Sequence, residues 1–222
     1  MNIQYVTTAS ELQIAVHNAS LALSKDLSRP ILCAICFEYD AELGMVTVTA
    51  TDSYRLVTTS MREVAGTTNW ADGIYAIWNA AILLTALKPL PYNTEVTISV
   101  TESSEGSTPY LEVKIPGVER SIFHTDIIDG HYPDWHQLTS PPVSTNPETV
   151  PPGLNQEYLA SIAKLRHPLM EGVMARHAKN FGPVICRTVA PLKPVVWSFA
   201  RDGLSPRVSM LVMSMRYDEV TV

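Results

Sequence analysis

The densest set of side chains able to do chemistry is His124, Asp126, Asp129, His131, Asp134 and His136, all within residues 124–136. Imidazole and carboxylate are the donors that suit zinc, manganese or iron. Their spacing matches no ligand motif, and Gly130 and Pro133 break the segment where solvated polar residues are expected. We therefore read it as a polar connector pinned by Tyr132 and Trp135. A metal-dependent enzyme built on the His124–His136 loop is the minor alternative. Cys33-Ala-Ile-Cys36 imitates a redox or zinc half-site. Residues three apart on a strand point to opposite faces, so the two sulfurs diverge. Without a second such pair, both read as small core residues. There is no glycine-rich phosphate loop, nucleophile elbow or Ser/His/Asp set. The expectation is a non-enzymatic chain with no cofactor and no metal.

Recognition is the other chemistry on offer. Met45–Leu56 reads MVTVTATDSYRL, with Val46, Val48 and Ala50 on one face and Thr47, Thr49 and Thr51 on the other. That period of two predicts a half-buried strand. Thr51-Asp52-Ser53 then turns the chain and presents Tyr54, Arg55 and Leu56 at a strand end. Such a trio suits a recognition surface on a rigid scaffold. An ordinary hairpin whose Tyr and Leu return to the core is the competing reading. Met210–Arg216, MLVMSMR, is open in the same way. Thioethers fill core gaps and also line grooves that accept varied peptides, and spacing alone favours core.

The bulk properties bound these choices. A chain of 222 residues can bury a sizeable core as one large or two small domains. Three cysteines point to a reducing compartment rather than a disulfide framework. A net charge of −6 argues against wrapping nucleic acid over the whole surface but leaves room for a locally basic channel. No apolar run is long enough to span a bilayer, and MNIQYVTTASEL lacks a signal peptide's regions, so a cytoplasmic protein is expected.

The elements repeat. Asn2–Thr7 is a strand, and Ser10-Glu11-Leu12-Gln13 reads as a capping box. Leu12, Ala15, Val16, Ala19 and Leu23 form the apolar stripe of the helix it opens. Ile31–Tyr39, Met45–Thr51 and Leu56–Met61 are strands. A second round has a strand at Gly73–Ile77, a helix over Trp78–Leu87, and strands at Glu95–Val100, Leu111–Ile115 and Ser121–Thr125. A third follows the proline-rich segment Ser140–Gly153. It has a helix over Asn155–Arg166, with Leu159, Ile162 and Ala163 inward, and strands at Val184–Val189, Pro194–Ala200 and Val208–Met215. Helix starts near residues 10, 79 and 155 recur at roughly seventy residues, so the chain reads as three strand–helix–three-strand units.

Several stretches together resemble one family. Ala50-Thr51-Asp52-Ser53-Tyr54-Arg55-Leu56, Asp129-Gly130-His131-Tyr132-Pro133-Asp134-Trp135 and Val212-Met213-Ser214-Met215-Arg216 resemble, in order, signature stretches of the bacterial DNA polymerase III beta subunit, the sliding clamp. Arg29–Glu38 is similar to the strand preceding the first of them. The resemblance covers most of the chain, most clearly residues 29–138 and 150–216.

It implies an α+β fold, the DNA-clamp fold of repeated βαβββ units, with helices lining a ring interior and sheets outside. Residues 1–138 would form a clamp domain of two units, 139–153 a linker, and 154–222 a third, single unit. The function implied is a processivity factor that encircles duplex DNA and tethers a replicative polymerase. DNA polymerase and clamp loader peptides would dock in a pocket at Leu32, Thr51, Tyr54, Arg55, Leu56, Pro133, Leu138, Val212, Met213, Met215 and Arg216. Lys25, Arg29, Lys88, Lys164, Arg166 and His167, on or just beyond the three helices, would face DNA, unless they are ordinary solvated helix-end cations. A family ring has twelve units, so three per chain would close as a homo-tetramer, with the third unit pairing isologously with its counterpart. The runner-up is a non-ring adaptor or decoy for clamp-directed peptides.

There are departures from the family. Residues 140–153 stand in for a whole unit, and Ser214 replaces a proline between the methionines. Leu169–Phe181, with Met170, Val173, Met174 and His177 at helical spacing, looks like an insertion. So short a version points to a bacteriophage and an infected bacterial cell.

Overall fold

Thr8 ends the first strand and starts the first helix. In the computed structural model β1 spans Asn2–Thr8 and α1 Ala9–Ser20, and the Thr8 hydroxyl accepts the Glu11 N–H at 3.2 Å. Thr8-Ala-Ser-Glu11 has the spacing of a capping box, so the helix opens two residues before the Ser10 start read from the sequence. Ser10 is buried in the first turn. The described residues are 2–40, 44–64, 70, 73–102, 108–139, 154–167, 184–188, 194–199 and 207–213. Residues 140–153, the expected insertion Leu169–Phe181, and Ser214, Met215 and Arg216 lie outside them.

After α1 comes a 3-10 turn at Pro30–Cys33, where a continuous strand from Ile31 was expected. Proline fixes φ near the helical value and suits the first position of such a turn. The turn places Cys33 off the strand, and β2 runs from Ile35 to Asp40. β3 (Met45–Thr51) and β4 (Arg55–Met61) complete the first round. The second round comprises β5 (Ile74–Ile77), α2 (Ala80–Leu87), β6 (Glu95–Thr101), β7 (Tyr110–Lys114) and β8 (Phe123–Asp126). α2 starts at Ala80 rather than Trp78, because Asn79 is left-handed with φ 65°. Asparagine tolerates that region. The Trp78 indole instead donates to the Pro30 carbonyl at 3.3 Å. The third round comprises α4 (Gln156–Ile162), β9 (Val184–Thr188), β10 (Val195–Phe199) and β11 (Val208–Val212), preceded by the short α3 (His136–Thr139).

The first two rounds are interlocked. β1 pairs antiparallel with β6, and β5 pairs antiparallel with β2, so each round lends its first strand to the other's sheet. One sheet has the order β1-β6-β7-β8 and the other β5-β2-β3-β4-β11-β10-β9. The third round extends the second sheet through β11, which pairs with β4 in the register Leu56↔Leu211 and Arg55↔Val212.

The main core lies between the sheets and the helices. It joins Tyr5, Leu12, Phe37, Val48, Leu83 and Ile98 to Ile162, Leu165, Phe199 and Met210 of the third round. Each such side chain contributes about 1.5–3 kcal/mol when fully buried. Val46, Val48 and Ala50 are fully buried there, as the alternation requires. Thr47 and Thr49 on the opposite face are buried too, so β3 is covered on both sides. The second cover is the strap after β8, whose Tyr132 and Trp135 pack with Ala34, Cys36, Leu56, Ala76, Val196 and Leu211. The inward stripe of α4 is Tyr158, Ser161, Ile162 and, just past the helix, Leu165; Leu159 and Ala163, expected inward, are exposed. Their spacing of three and four is that of one helix face. Among the described residues no helix is long and apolar enough to cross a membrane.

Candidate functional site

Where the third round joins the first, the outer face of the seven-stranded sheet carries a groove. Strand alternation builds it. Tyr54 and Leu56 project to the outer face, as do Leu211 and Met213 beside them, with Leu56 opposite Leu211 and the Met213 N–H donating to the Tyr54 carbonyl at 2.7 Å. Thr51, Ser53, Arg55, Leu138 and Pro194 complete a lining that encloses about 240 Å³, including space open to solvent. Leu56 and Leu211 are buried at 3% and 2% exposure, whereas Tyr54 is 58%, Leu138 43% and Met213 38% exposed. An apolar floor rimmed by exposed aromatic, aliphatic and thioether groups can take a hydrophobic anchor side chain.

The loop above it is fixed by its own polar groups. The Asp52 carboxylate accepts the N–H groups of Tyr54 and Arg55 at 3.0 and 2.9 Å, and the Thr51 hydroxyl accepts that of Ser53 at 3.1 Å. Ser53 takes a left-handed φ of 78°. Arg55 borders the groove but sends its guanidinium to the helix side. There Nε donates to Asp52 at 2.9 Å, Nη1 donates to the Ser161 hydroxyl at 2.8 Å, and the group lies over the Tyr158 ring. Burial, followed by the neighbouring Asp52 carboxylate, pushes the Tyr158 phenol above its ordinary value.

Six residues of the expected pocket therefore meet here: Thr51, Tyr54, Arg55, Leu56, Leu138 and Met213. Leu32 does not line the groove; it is 5% exposed in the 3-10 turn. Pro133 is exposed on the strap but away from the lining. Val212 is wholly buried in the main core, since a strand neighbour of Leu211 and Met213 must face the other way. Met215 and Arg216 lie outside the described residues. Leu56 belongs to the packed floor, so the hairpin reading holds for it and fails for Tyr54. The sequence reading missed Ser53, Pro194 and Leu211, and the period of two through Leu211 and Met213 is the signal that would have found Leu211.

The expected DNA-facing set divides. Lys25, Lys88, Lys164 and Arg166 are exposed at helix ends or the loops beyond them. Arg29 pairs with Asp26 at 3.1 Å and donates to the Ser53 hydroxyl at 3.0 Å, which turns it toward the groove loop. His167 is fully buried, edge-on to Phe199 at 5.2 Å, so it is unavailable to a DNA channel.

The histidine-rich segment acts as a strap. The Trp135 indole donates to Glu38 Oε2 at 3.2 Å, His136 Nε2 lies 2.8 Å from Glu38 Oε1, and the two rings stack at 4.0 Å. The Tyr132 hydroxyl reaches the Thr49 carbonyl at 3.5 Å. His124 instead packs on Tyr110. Among the described residues no three of His, Cys, Asp or Glu stand where they could hold a metal. Burial pushes the Cys36 thiol up, while Cys33 lies in the turn and reaches the Asp26 carbonyl.

The model of the central domain of the DNA polymerase III beta subunit matches residues 7–134, from the end of β1 through the second round and into the strap. This chain belongs to that family of sliding clamps. Solved clamps share its fold. The sliding clamp of Bacillus subtilis is 16% identical, with a TM-score of 0.64 over 98% of this chain and 65% of that one. The clamp of Bartonella birtlesii bound to griselimycin is 15% identical, with a TM-score of 0.65 over 97% and 66%. That of Pseudomonas aeruginosa, also bound to griselimycin, is 13% identical, with a TM-score of 0.63 over 97% and 66%. This clamp chain thus spans about 65% of the length of the Bacillus subtilis clamp. No curated protein sequence matches it. The family is non-enzymatic.

Proposed function

We propose that this chain is a processivity clamp that holds a replicative polymerase on duplex DNA through the groove at Tyr54, Leu56, Leu138, Leu211 and Met213. The groove carries the proposal. An apolar floor closed by the junction of two rounds and rimmed by exposed Tyr54, Leu138 and Met213 is built to hold a peptide's hydrophobic anchor. Residues 1–138 act as the complete domain, 139–153 as a linker and 154–222 as the single unit that supplies one wall.

Among the described residues no strand pairs with the outer edges of β8 and β9, which supports a closed homo-oligomer. β9 ends the seven-stranded sheet at the place where, in the interlocked rounds, a lent strand lies. The same unit of a neighbour is its proposed complement, and four chains of three units close the ring. Lys25, Lys88, Lys164 and Arg166 then stand at the helix ends toward DNA. Because a ring holds DNA topologically, few phosphate contacts are needed, in keeping with a net charge of −6.

The deciding experiment loads the protein on nicked circular DNA and washes in high salt. Retention that is lost on linearisation supports the clamp. A chain that binds a clamp-directed polymerase peptide as a stable monomer and never stays on circular DNA is an adaptor instead. Griselimycin, the ligand in the Bartonella and Pseudomonas structures, is the competitor to try against that peptide.

A further inference from the structure

Leu138 reaches the groove from α3, a helix of four residues at the end of the strap. A single turn has little stability of its own, so where Leu138 stands depends on what holds that turn. Its own bonds are internal. The Asp134 carboxylate accepts the His136 N–H at 3.1 Å, and the Leu138 N–H donates to the Trp135 carbonyl at 3.0 Å. Leu138 therefore goes where Trp135 and His136 go.

Both of those side chains end on one carboxylate. Glu38 lies on β2, two residues beyond Cys36 and so on the same outer face. Its Oε2 accepts the Trp135 indole N–H at 3.2 Å, and its Oε1 lies 2.8 Å from His136 Nε2. A carboxylate only accepts, so both ring nitrogens donate. The rings stack at 4.0 Å with 28° between their planes, which brings their N–H groups together on the one acceptor. Hydrogen bonds to an ionised group are the stronger kind, and the Glu38 side chain is only 19% exposed. Glu38 itself does not line the groove. β3 separates its strand from β4, so it lies two strand spacings, at least about 10 Å, from Leu56.

We infer that Glu38 is a positioning residue for the groove: by clasping Trp135 and His136 it holds Leu138 on the rim and tunes the docked peptide's affinity from outside the pocket. The inference rests on the peptide-docking reading of the groove. The other walls are fixed by the β4–β11 register and by the Asp52 turn. On the strap side, Trp135 packs in the cluster that holds Leu56 and Leu211. Such packing is non-directional, and the two hydrogen bonds to Glu38 supply the direction.

The test uses the full chain and a fluorescein-labelled clamp-directed polymerase peptide, read by anisotropy, with circular dichroism checking each fold. The variants are Glu38→Ala, Trp135→Phe, Leu138→Ala and the double change of Glu38 and Leu138 to alanine. Trp135→Phe keeps an aromatic ring in place and removes the N–H. Each single change is expected to weaken binding about fivefold to tenfold. The double variant is expected to bind like Leu138→Ala alone, because Glu38 acts through Leu138. Losses that multiply, or a Glu38→Ala variant that binds like the wild type, overturn the inference. Amide hydrogen exchange read by NMR without peptide keeps the clasp and the docking reading apart. In Glu38→Ala the Leu138 amide is expected to exchange about fivefold faster, with Leu56 and Leu211 unchanged. Unaltered exchange at Leu138 overturns the clasp whether or not the peptide binds. Faster exchange in a chain whose wild type never binds the peptide supports the clasp and overturns the docking reading.

Discussion

The guanidinium of Arg55 lies 4.8 Å over the ring of Tyr158, joining the groove loop of the first round to the helix of the third. The same group donates to Asp52 and Ser161, with side chains only 17% and 13% exposed for Arg55 and Asp52. One planar fork thus ties the loop that borders the groove to α4 of the third round.

Arg55→Lys is expected to cost about 1–2 kcal/mol, because an ammonium cannot bridge the carboxylate and hydroxyl while stacking on the ring. Tyr158→Ala should cost about 0.5–1 kcal/mol through the cation–π contact. Urea unfolding of both single variants and the double variant checks this. Strictly additive losses would mean that the two residues do not act together.

Asn18 ties the third round to α1 from inside the core. Its amide donates to the Arg166 carbonyl at 2.7 Å and to the Thr59 hydroxyl at 3.1 Å, and its oxygen accepts the Arg166 N–H at 2.9 Å. Asn18→Ala leaves these groups buried without partners and should cost about 2–3 kcal/mol. Asn18→Asp keeps the acceptor but sets a carboxylate against the Arg166 carbonyl, so it is expected to be at least as damaging. The midpoint of denaturant unfolding orders the two.

His17 gives the same junction a pH dependence. Burial, then the nearby Arg166 charge, lowers its pKa below the ordinary 6.5, despite the 3.1 Å hydrogen bond to the Lys164 carbonyl. A lowered folded-state value means that the unfolded chain binds the proton more tightly. The contribution is therefore present above about pH 6.5 and is lost as pH falls through the folded value. Tm is expected to drop more between pH 7 and pH 5.5 in the wild type than in His17→Gln, as read by calorimetry.

Two groove substitutions should behave differently. Met213→Lys alters a side chain that is 38% exposed and is expected to abolish peptide binding with Tm nearly unchanged. Leu56→Lys puts an ammonium into a site 3% exposed between Ala34, Tyr132 and Leu211. It should lower stability by about 3–5 kcal/mol, losing binding through the fold rather than through the pocket. Peptide anisotropy measured beside thermal melts separates the two; equal melts would contradict the packing of Leu56.

Residue spacing by itself determined the three rounds, the alternating faces of Met45–Thr51 and the turn chemistry of Asp52 and Ser53. Each follows from short-range physics: a period of two or 3.6, proline's fixed φ, and side-chain oxygens that cap nearby N–H groups. The strap was legible in the same way, because Tyr132 and Trp135 are large apolar groups in a polar segment and must find cover. Tertiary structure alone decided which face each pattern serves. Nothing local tells Leu56 that Leu211 lies opposite, or Arg55 that Ser161 waits on the helix side. His167 looked like a solvent cation until Phe199 closed over it. The groove exists because β11 joins β4 across about 150 residues of chain, and a contact so distant in sequence leaves no periodicity to read.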